Sequence, residues 1–492
     1  MRKEYENILN KENIRENLIT LKQELKTENG KKQFQKLTDG CCDFIMKLLV
    51  EEDPKIRKNA ASILGIVHCA DAVDVLVDAY EAEETMFVRA EYLRALGELP
   101  CQEYLELFKK RLQELSQKSC EIEEKKHIQN EMRELQQLIL SVEGVKKHTF
   151  QGWQRMNEVI LTTIPAFRDL TAAQVTGSQT VKTGAGLRTK TCDLKQILKI
   201  RTFKELLFVI HGEKELPRDA DEIAKWLYQS DLKQILKENH KEDGPYYFRL
   251  GVTGPMSLEE RSRFSKKAAA QLEELFERQL INSASHYEIE IRLIQNKEGS
   301  FYPCVKLLTI PDTRFAYRRY HISAGMQPFA AAGILALAKN YLTEHGQVLD
   351  PFCGVGTMLI ERNYLEPARD SYGLDIFGEA VEKARANTRI AGMNINYINR
   401  DFSDFRHEYL FDEIITDMPV KGSMSYERLE KLYEMFFTRA SELVKKNGTI
   451  VMYSGEIGFV KKQIRLRNQF HLEREYCISE KNKTYVFIIT YR

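Results

Sequence analysis

The segment Gln347-Val-Leu-Asp-Pro-Phe-Cys-Gly-Val-Gly-Thr357, followed by Met-Leu-Ile-Glu-Arg-Asn-Tyr-Leu365, constrains the fold more than any other part of the chain. It reads as a short apolar strand, a glycine turn and the start of a helix, where unpaired backbone N–H groups face whatever ligand sits there. Gly354 and Gly356 permit close backbone approach. Leu359 stands where a dinucleotide fingerprint has its third glycine, so a pyrophosphate cofactor fits less well. Residues 325–492 alternate strand and helix, as a parallel sheet covered on both faces requires. A second strand ends in Tyr-Gly-Leu-Asp375, 19 residues after Gly356. A carboxylate at that distance can accept hydrogen bonds from both ribose hydroxyls. A third strand, Ile-Asn-Tyr-Ile-Asn-Arg-Asp401, places an acid within reach of an adenine amino group. A lone G-x-G is usually only a turn, but these three features at successive strand ends describe a nucleoside pocket.

The rest of the 492 residues divides by texture, and charge helps to divide it. The chain carries 73 Lys and Arg against 72 Asp and Glu, so it is no polycation. Residues 1–150 hold 24 basic and 28 acidic side chains, residues 151–330 hold 27 and 22, and residues 331–492 hold 22 of each. Only the middle third is basic, an excess that permits nucleic-acid contact. Residues 1–150 have helical periodicity and an internal repeat. Asp53-Pro-Lys-Ile-Arg-Lys-Asn-Ala-Ala-Ser-Ile-Leu-Gly65 recurs 32 residues on as Thr85-Met-Phe-Val-Arg-Ala-Glu-Tyr-Leu-Arg-Ala-Leu-Gly97. Such recurrence marks stacked helix pairs. It resembles short HEAT-like repeats, with Tyr104 to Val142 expected as atypical capping helices. A spacing module and a docking surface for a protein or RNA partner both remain open for it.

From Val159 a strand-like run, a helix, the glycine-rich Val-Lys-Thr-Gly-Ala-Gly-Leu-Arg-Thr-Lys190, the helical Leu-Lys-Gln-Ile-Leu-Lys-Ile200 and a second strand suit a ferredoxin-like half. A strand from Tyr246, a basic helix with Arg261, Arg263, Lys266 and Lys267, and two more strands follow. The block leaves through Arg314-Phe-Ala-Tyr-Arg-Arg-Tyr-His321. Arginine and tyrosine interleaved in this way can contact phosphates and stack on bases, although such runs are often just a solvated edge. The order of elements over about residues 157–320 resembles the ferredoxin-like segment plus THUMP domain of RNA-modifying enzymes.

In the C-terminal third the resemblance is specific. Asp-Pro-Phe-Cys-Gly-Val-Gly-Thr, with Ile360-Glu361 following, is similar to the first motif of the class I S-adenosylmethionine-dependent methyltransferases that carry THUMP domains. The resemblance implies a cofactor site of Asp350, Pro351, Phe352, Cys353, Gly354, Gly356, Thr357, Asp375, Ile376, Asp401 and Phe402. Asp350 would lie near the methionine amino group, Asp375 would take the ribose, Asp401 the adenine, and Phe402 would edge the adenine ring. The stretch Arg319-Tyr-His-Ile-Ser-Ala-Gly-Met-Gln-Pro328 corresponds to the family's linker, and the last strands, around Lys481-Asn-Lys483, to its terminal antiparallel pair. Arg314, Arg318 and Arg319 are the implied RNA contacts. The expected architecture is therefore multidomain: a HEAT-like helical array (1–150), a ferredoxin-like segment (157–205), a THUMP-like RNA-binding module (206–320) and a Rossmann-like α/β methyltransferase domain (325–492).

The fourth strand exits into Asp417-Met-Pro-Val-Lys-Gly422. In amino-methylating members of the family this loop reads Asn or Asp, one or two prolines, then Tyr or Phe. An exocyclic base amine is a poor nucleophile, because its lone pair is delocalised into the ring. Acceptor oxygens from the acid and a loop carbonyl localise it, while an aromatic ring fixes the attack line. Asp417 and Pro419 match as catalytic residues. Val420 does not match the aromatic, and Tyr426, Phe436 or a residue of another domain is needed in its place. The resemblance implies methyl transfer to the 2-amino group of a guanine in structured RNA, tRNA or rRNA, with no metal. Two other classes stay open: a scaffold that keeps the cofactor pocket without turnover, as Val420 suggests, and a methyltransferase acting on protein or a small molecule. The nine cysteines include no C-x-x-C pair and suit a reducing compartment. With no apolar signal core in the first residues and no run near the ~18 apolar residues of a membrane span, the cytoplasm is the expected location and no membrane partner is expected.

Overall fold

The computed structural model describes residues 1–117, 122–144, 147–213, 216–296, 298–323, 325–422 and 424–492. The chain divides into two units, residues 1–147 with 246–248 and 281–288, and the remainder.

The first unit is helical, and the repeat in its sequence has a structural counterpart. Helix Pro54–Ile66 starts at Asp53, whose side chain caps the Lys55 N–H (2.8 Å), with proline preset for the first turn. Arg57 reaches back to donate to the Glu51 carbonyl (2.8 Å), six residues upstream. Arg89, its counterpart in helix Met86–Leu96, donates to the Glu83 carbonyl (2.6 Å), also six residues upstream. The in-register arginines thus do one job twice, each tying its helix to the preceding loop. Gly65 packs so tightly on the second helix that a Cβ there would fall 2.8 Å from the Ala95 Cα. Helices Leu105–Gln117 and Ile122–Glu143 occupy the stretch expected to cap the array, and residues 118–121 between them lie outside the described residues.

The described residues form two sheets. The first holds β1 (Asn157–Thr162), β2 (Thr180–Lys182), β3 (Gly186–Thr191), β4 (Glu205–Val209), β5 (Tyr246–Thr253), β6 (Leu280–Asn282), β7 (Ile289–Gln295) and β8 (Phe301–Leu307), in the order β2-β3-β1-β4-β8-β7-β5-β6. The ferredoxin-like half and the strands after it therefore share one sheet, joined where β4 pairs antiparallel with β8. The glycine-rich stretch forms the hairpin β2–β3. It does so because Gly186 (φ +154°) crosses β1 where a Cβ would lie 2.1 Å from the Leu161 carbonyl oxygen. The predicted helix over Leu194 to Ile200 is only the single turn Leu194–Ile197.

The second sheet holds β9 (Gln347–Asp350), β10 (Asp370–Asp375), β11 (Asn396–Asn399), β12 (Phe411–Asp417), β13 (Val444–Ser454), β14 (Phe470–Ser479) and β15 (Thr484–Tyr491), in the order β11-β10-β9-β12-β13-β15-β14. Strands β9 to β13 run parallel, and β15 is antiparallel to both neighbours. Alternation splits the core between two faces. Leu349, Ile414 and Ile450 pack with Phe405, Phe436 and Phe437 on one face. Val348, Ile415 and Val451 pack with Ile334, Leu359 and Val381 on the other. Order reverses between β9 and β12, so the crevice beyond their carboxyl ends is where such sheets bind ligands.

Three contacts fasten the first sheet's module to this domain. Phe167 enters the second face of the core against Gly333, where any Cβ would lie 2.3 Å from its ring. Arg201 makes a bidentate pair with Glu361 (2.8 Å to each oxygen) and stacks on Tyr364 (4.0 Å). Tyr317 donates to the same carboxylate (2.7 Å). A second buried pair lies within the domain: Arg362 on helix Thr357–Leu365 donates to Glu413 on β12 (2.7 Å twice), both fully buried. Removing one partner leaves the other charge buried and alone, at a cost of about 3–5 kcal/mol. Arg362→Met is therefore expected to lower the stability of this domain by roughly that amount in urea unfolding, and Arg362→Met with Glu413→Leu by distinctly less.

Candidate functional site

Asp350, Asp375 and Asp417 stand at the carboxyl ends of β9, β10 and β12, around one crevice. Between the first two runs the glycine loop. Gly354 (φ +52°) and Gly356 (φ +81°) hold left-handed conformations that favour glycine. Gly356 has a second constraint, since a Cβ there would lie 2.3 Å from the Tyr397 hydroxyl, so its close approach is to the protein itself. At Gly354 the nearest atom to such a Cβ is 3.7 Å away. The Asp375 carboxylate shapes the loop, accepting from Gly354 N–H (3.0 Å) and Phe377 N–H (2.9 Å). Each carboxylate oxygen has a further lone pair for a ligand hydroxyl.

The electrostatics of the crevice are one-sided. Asp350 is buried, accepts from Phe352 N–H (3.1 Å), and burial pushes its carboxyl well above the ordinary value, with the Asp417 and Asp375 carboxylates adding repulsion. Burial alone raises the Asp417 carboxyl to about 7. Among the described residues no cationic side chain relieves Asp350 or Asp417. Two crowded, unpartnered acids are the environment in which a ligand cation is held. Burial also keeps the Cys353 thiol protonated.

The remaining expected residues fall around this crevice in different ways. Pro351, Cys353 and Thr357 are buried in the loop and helix start, with Phe352 partly open. Ile376 is an exposed apolar side chain next to Asp375. Asp401, two residues beyond β11, is exposed and accepts from Ser403 N–H (2.8 Å). The Phe402 ring is buried between Phe352 (6.0 Å) and Phe436 (5.8 Å), as part of the floor. Pro419 follows Asp417, Met418 N–H donates to Tyr453 (3.0 Å), and Val420 is 69% exposed. Of the two aromatics expected to replace the missing platform, Phe436 is fully buried. Tyr426 is 57% exposed, with its ring backed by Phe459 (5.0 Å).

The basic run divides. Arg314 does not serve as an RNA contact. It is 6% exposed, stacked on Phe203 (3.6 Å), and its guanidinium is filled by Asp312 and the carbonyls of Ile200, Phe203 and Lys204. Arg318 is half-buried and donates to the Thr357 hydroxyl (3.3 Å), and burial draws its guanidinium below the usual arginine value. Only Arg319 is exposed. The sequence reading missed Asn387, which accepts from Tyr320 N–H (3.0 Å) and donates to the carbonyls of Tyr320 (2.8 Å) and Val355 (3.2 Å). It fastens the linker to the glycine loop, and a lone Asn inside a helix gave no signal of this. Among the described residues no group of three His, Cys, Asp or Glu is arranged to hold a metal, and no helix is long and apolar enough to cross a membrane.

Residues 316–477 match the family described as RMKL-like, methyltransferase domain. The tRNA (guanine(10)-N2)-dimethyltransferase of Methanothermobacter thermautotrophicus is 35% identical over 157 residues, which is 30% of this chain and 45% of that enzyme. The chain thus spans less than half the length of that relative. TrmN from Thermus thermophilus superposes with a TM-score of 0.51 at 19% identity, covering 68% of this chain and 99% of TrmN. SMU.472, solved as a complex with SAH, superposes with a TM-score of 0.51 at 15% identity, covering 68% and 98%. The structural likenesses establish a class I methyltransferase-like α/β fold, and the unrelieved acids suit a sulfonium cofactor. Residues 316–477 are similar to a methyltransferase domain, and the residues of the crevice fit S-adenosylmethionine as a cofactor. Asp375→Ala removes both the acceptor that shapes the loop and the expected ribose acceptor. Calorimetry with S-adenosylhomocysteine is expected to show affinity lowered by about 100-fold or more, and unchanged affinity would contradict the ribose assignment.

Proposed function

We propose that the whole protein methylates the 2-amino group of a guanine in structured RNA, with tRNA the first substrate to test and rRNA the second. The observation that carries the reading is Asp417-Met-Pro at the end of β12, beside the acids of the cofactor crevice. A guanine-N2 tRNA enzyme as a relative supports the same target. When bound, the cofactor supplies an electrophilic methyl group. Asp417, once ionised, accepts a hydrogen of the target amine and localises its lone pair toward that methyl. Tyr426 presents the aromatic face that Val420 lacks, so an extruded base stacks at the loop. The module over 157–320 acts as the THUMP-like RNA grip, with Arg319 exposed at its exit for phosphate contact. Residues 1–150 act as a HEAT-like array that extends the footprint or binds a partner. The cytoplasm is the location that fits a tRNA-modifying role.

Val420 favours one other reading, a cofactor-binding scaffold without turnover. Transfer of labelled methyl to unmodified tRNA, followed by nucleoside mass spectrometry, separates the two. N2-methylguanosine supports the enzyme, and cofactor binding with no transfer to any RNA supports the scaffold. Asp417→Ala is expected to keep S-adenosylhomocysteine affinity within about threefold and to lower transfer by about 100-fold or more. Below pH about 7 the Asp417 carboxyl is protonated and no longer serves as an anionic acceptor. The rate on subsaturating RNA should therefore fall tenfold per pH unit on the acid side, and the Ala variant should lose that limb. Tyr426→Ala should raise KM for RNA while leaving cofactor affinity unchanged. Normal turnover by the Ala variant would remove Asp417 from this role.

A further inference from the structure

Three of the arginines buried near the joint between the first sheet's module and the second sheet's domain have carboxylate partners among the described residues. Arg201 has Glu361, Arg314 has Asp312, and Arg362 has Glu413, each at 2.7–2.8 Å. Arg318 has no carboxylate partner among the described residues. Its Nη2 is fully buried and makes no hydrogen bond, and its Nε makes only the long contact to the Thr357 hydroxyl (3.3 Å). A guanidinium nitrogen withdrawn from water and left without an acceptor is costly, so it marks a place where an anion belongs.

The surroundings identify that place. Thr357 opens helix Thr357–Leu365, a nine-residue helix whose first turn has no side-chain cap, so its leading N–H groups and positive dipole end face the same spot. The linker holding Arg318 is fixed there from both sides. Asn387 clamps Tyr320 to the Val355 carbonyl, and the Ile322 side chain is the nearest neighbour of the Gly354 Cβ position. Space is tight on the far side, since a Cβ on Gly325 would stand 2.9 Å from Arg318 Nη2. Positive charge thus gathers at the helix end of the glycine loop, and negative charge at Asp350 and Asp417. An amino-acid moiety carries both an ammonium and a carboxylate, and this polarity sorts its two ends.

We infer that Arg318 holds the α-carboxylate of the cofactor's methionine moiety, with the start of helix Thr357–Leu365 as its second anchor. The inference rests on the methyltransferase-domain reading and reassigns to the cofactor an arginine whose sequence context pointed to RNA. It also explains why the guanidinium can stay buried without an internal partner: the cofactor brings the partner.

The test is calorimetric and needs no turnover. S-adenosylhomocysteine has the amino-acid moiety, decarboxylated S-adenosylmethionine keeps the amine but lacks the carboxylate, and 5′-methylthioadenosine lacks both. In Arg318→Ala the affinity for S-adenosylhomocysteine should fall by about 10- to 100-fold. Affinity for the other two ligands should stay within about twofold, which also shows that the pocket is folded. Arg318→Lys should recover part of the loss. Equal losses for all three ligands in both variants would overturn the inference, because the guanidinium would then be supporting the loop. Unchanged S-adenosylhomocysteine affinity with a flattened salt dependence of RNA binding would also overturn it and assign Arg318 to phosphate. Failure of the unaltered protein to bind any of the three would remove the methyltransferase-domain reading itself.

Discussion

Asp350 and Asp417 face one crevice with no cationic side chain among the described residues to relieve them, and the organisation of the catalytic domain follows from this. The parallel sheet reverses its order between β9 and β12, which brings the two strand ends together. The Asp375 carboxylate then braces the glycine loop through Gly354 and Phe377. A sulfonium and an ammonium neutralise the acidic side of such a site. Burying acids in this way destabilises the ligand-free fold, and the fully buried Arg362–Glu413 pair beneath the loop shows the same region held by strong internal contacts.

The joint between the first sheet's module and this domain is tied at several points. Glu361 lies one turn into the helix that follows the glycine loop, and it receives Arg201 from one side and Tyr317 from the other. Phe167 fits against Gly333 with no room for a side chain there. These contacts anchor the module to the helix that follows the glycine loop.

Much of the catalytic sheet was legible in the sequence. Apolar runs ending in Asp350, Asp375 and Asp417 coincide with the ends of β9, β10 and β12, and the terminal run matches β15 from Thr484 to Tyr491. Each is a short run bounded by a polar residue, which periodicity resolves well. Strand β13 drew no notice, because Val-Lys-Lys-Asn-Gly opens it with charges that read as loop. The surroundings of Arg314 and Arg318 escaped the sequence for a different reason. Their partners, the Ile200 and Phe203 carbonyls and Thr357, are 114, 111 and 39 residues away in the chain. An arginine among tyrosines looks the same in sequence whether it faces solvent or a distant carbonyl. The short helix Leu194–Ile197 shows the converse, a local helical pattern cut off by the need to enter β4.

The most direct test of the central claim is the proton balance of cofactor binding, measured by calorimetry near pH 7 in buffers of different ionisation enthalpy. A cation placed beside Asp417 must lower its raised pKa, so S-adenosylmethionine should saturate one site per chain and release a fraction of a proton. S-adenosylhomocysteine, which lacks the sulfonium charge, should release distinctly less. Equal proton release for the two ligands, or no saturable binding of either, would contradict a crevice built around unrelieved carboxylates.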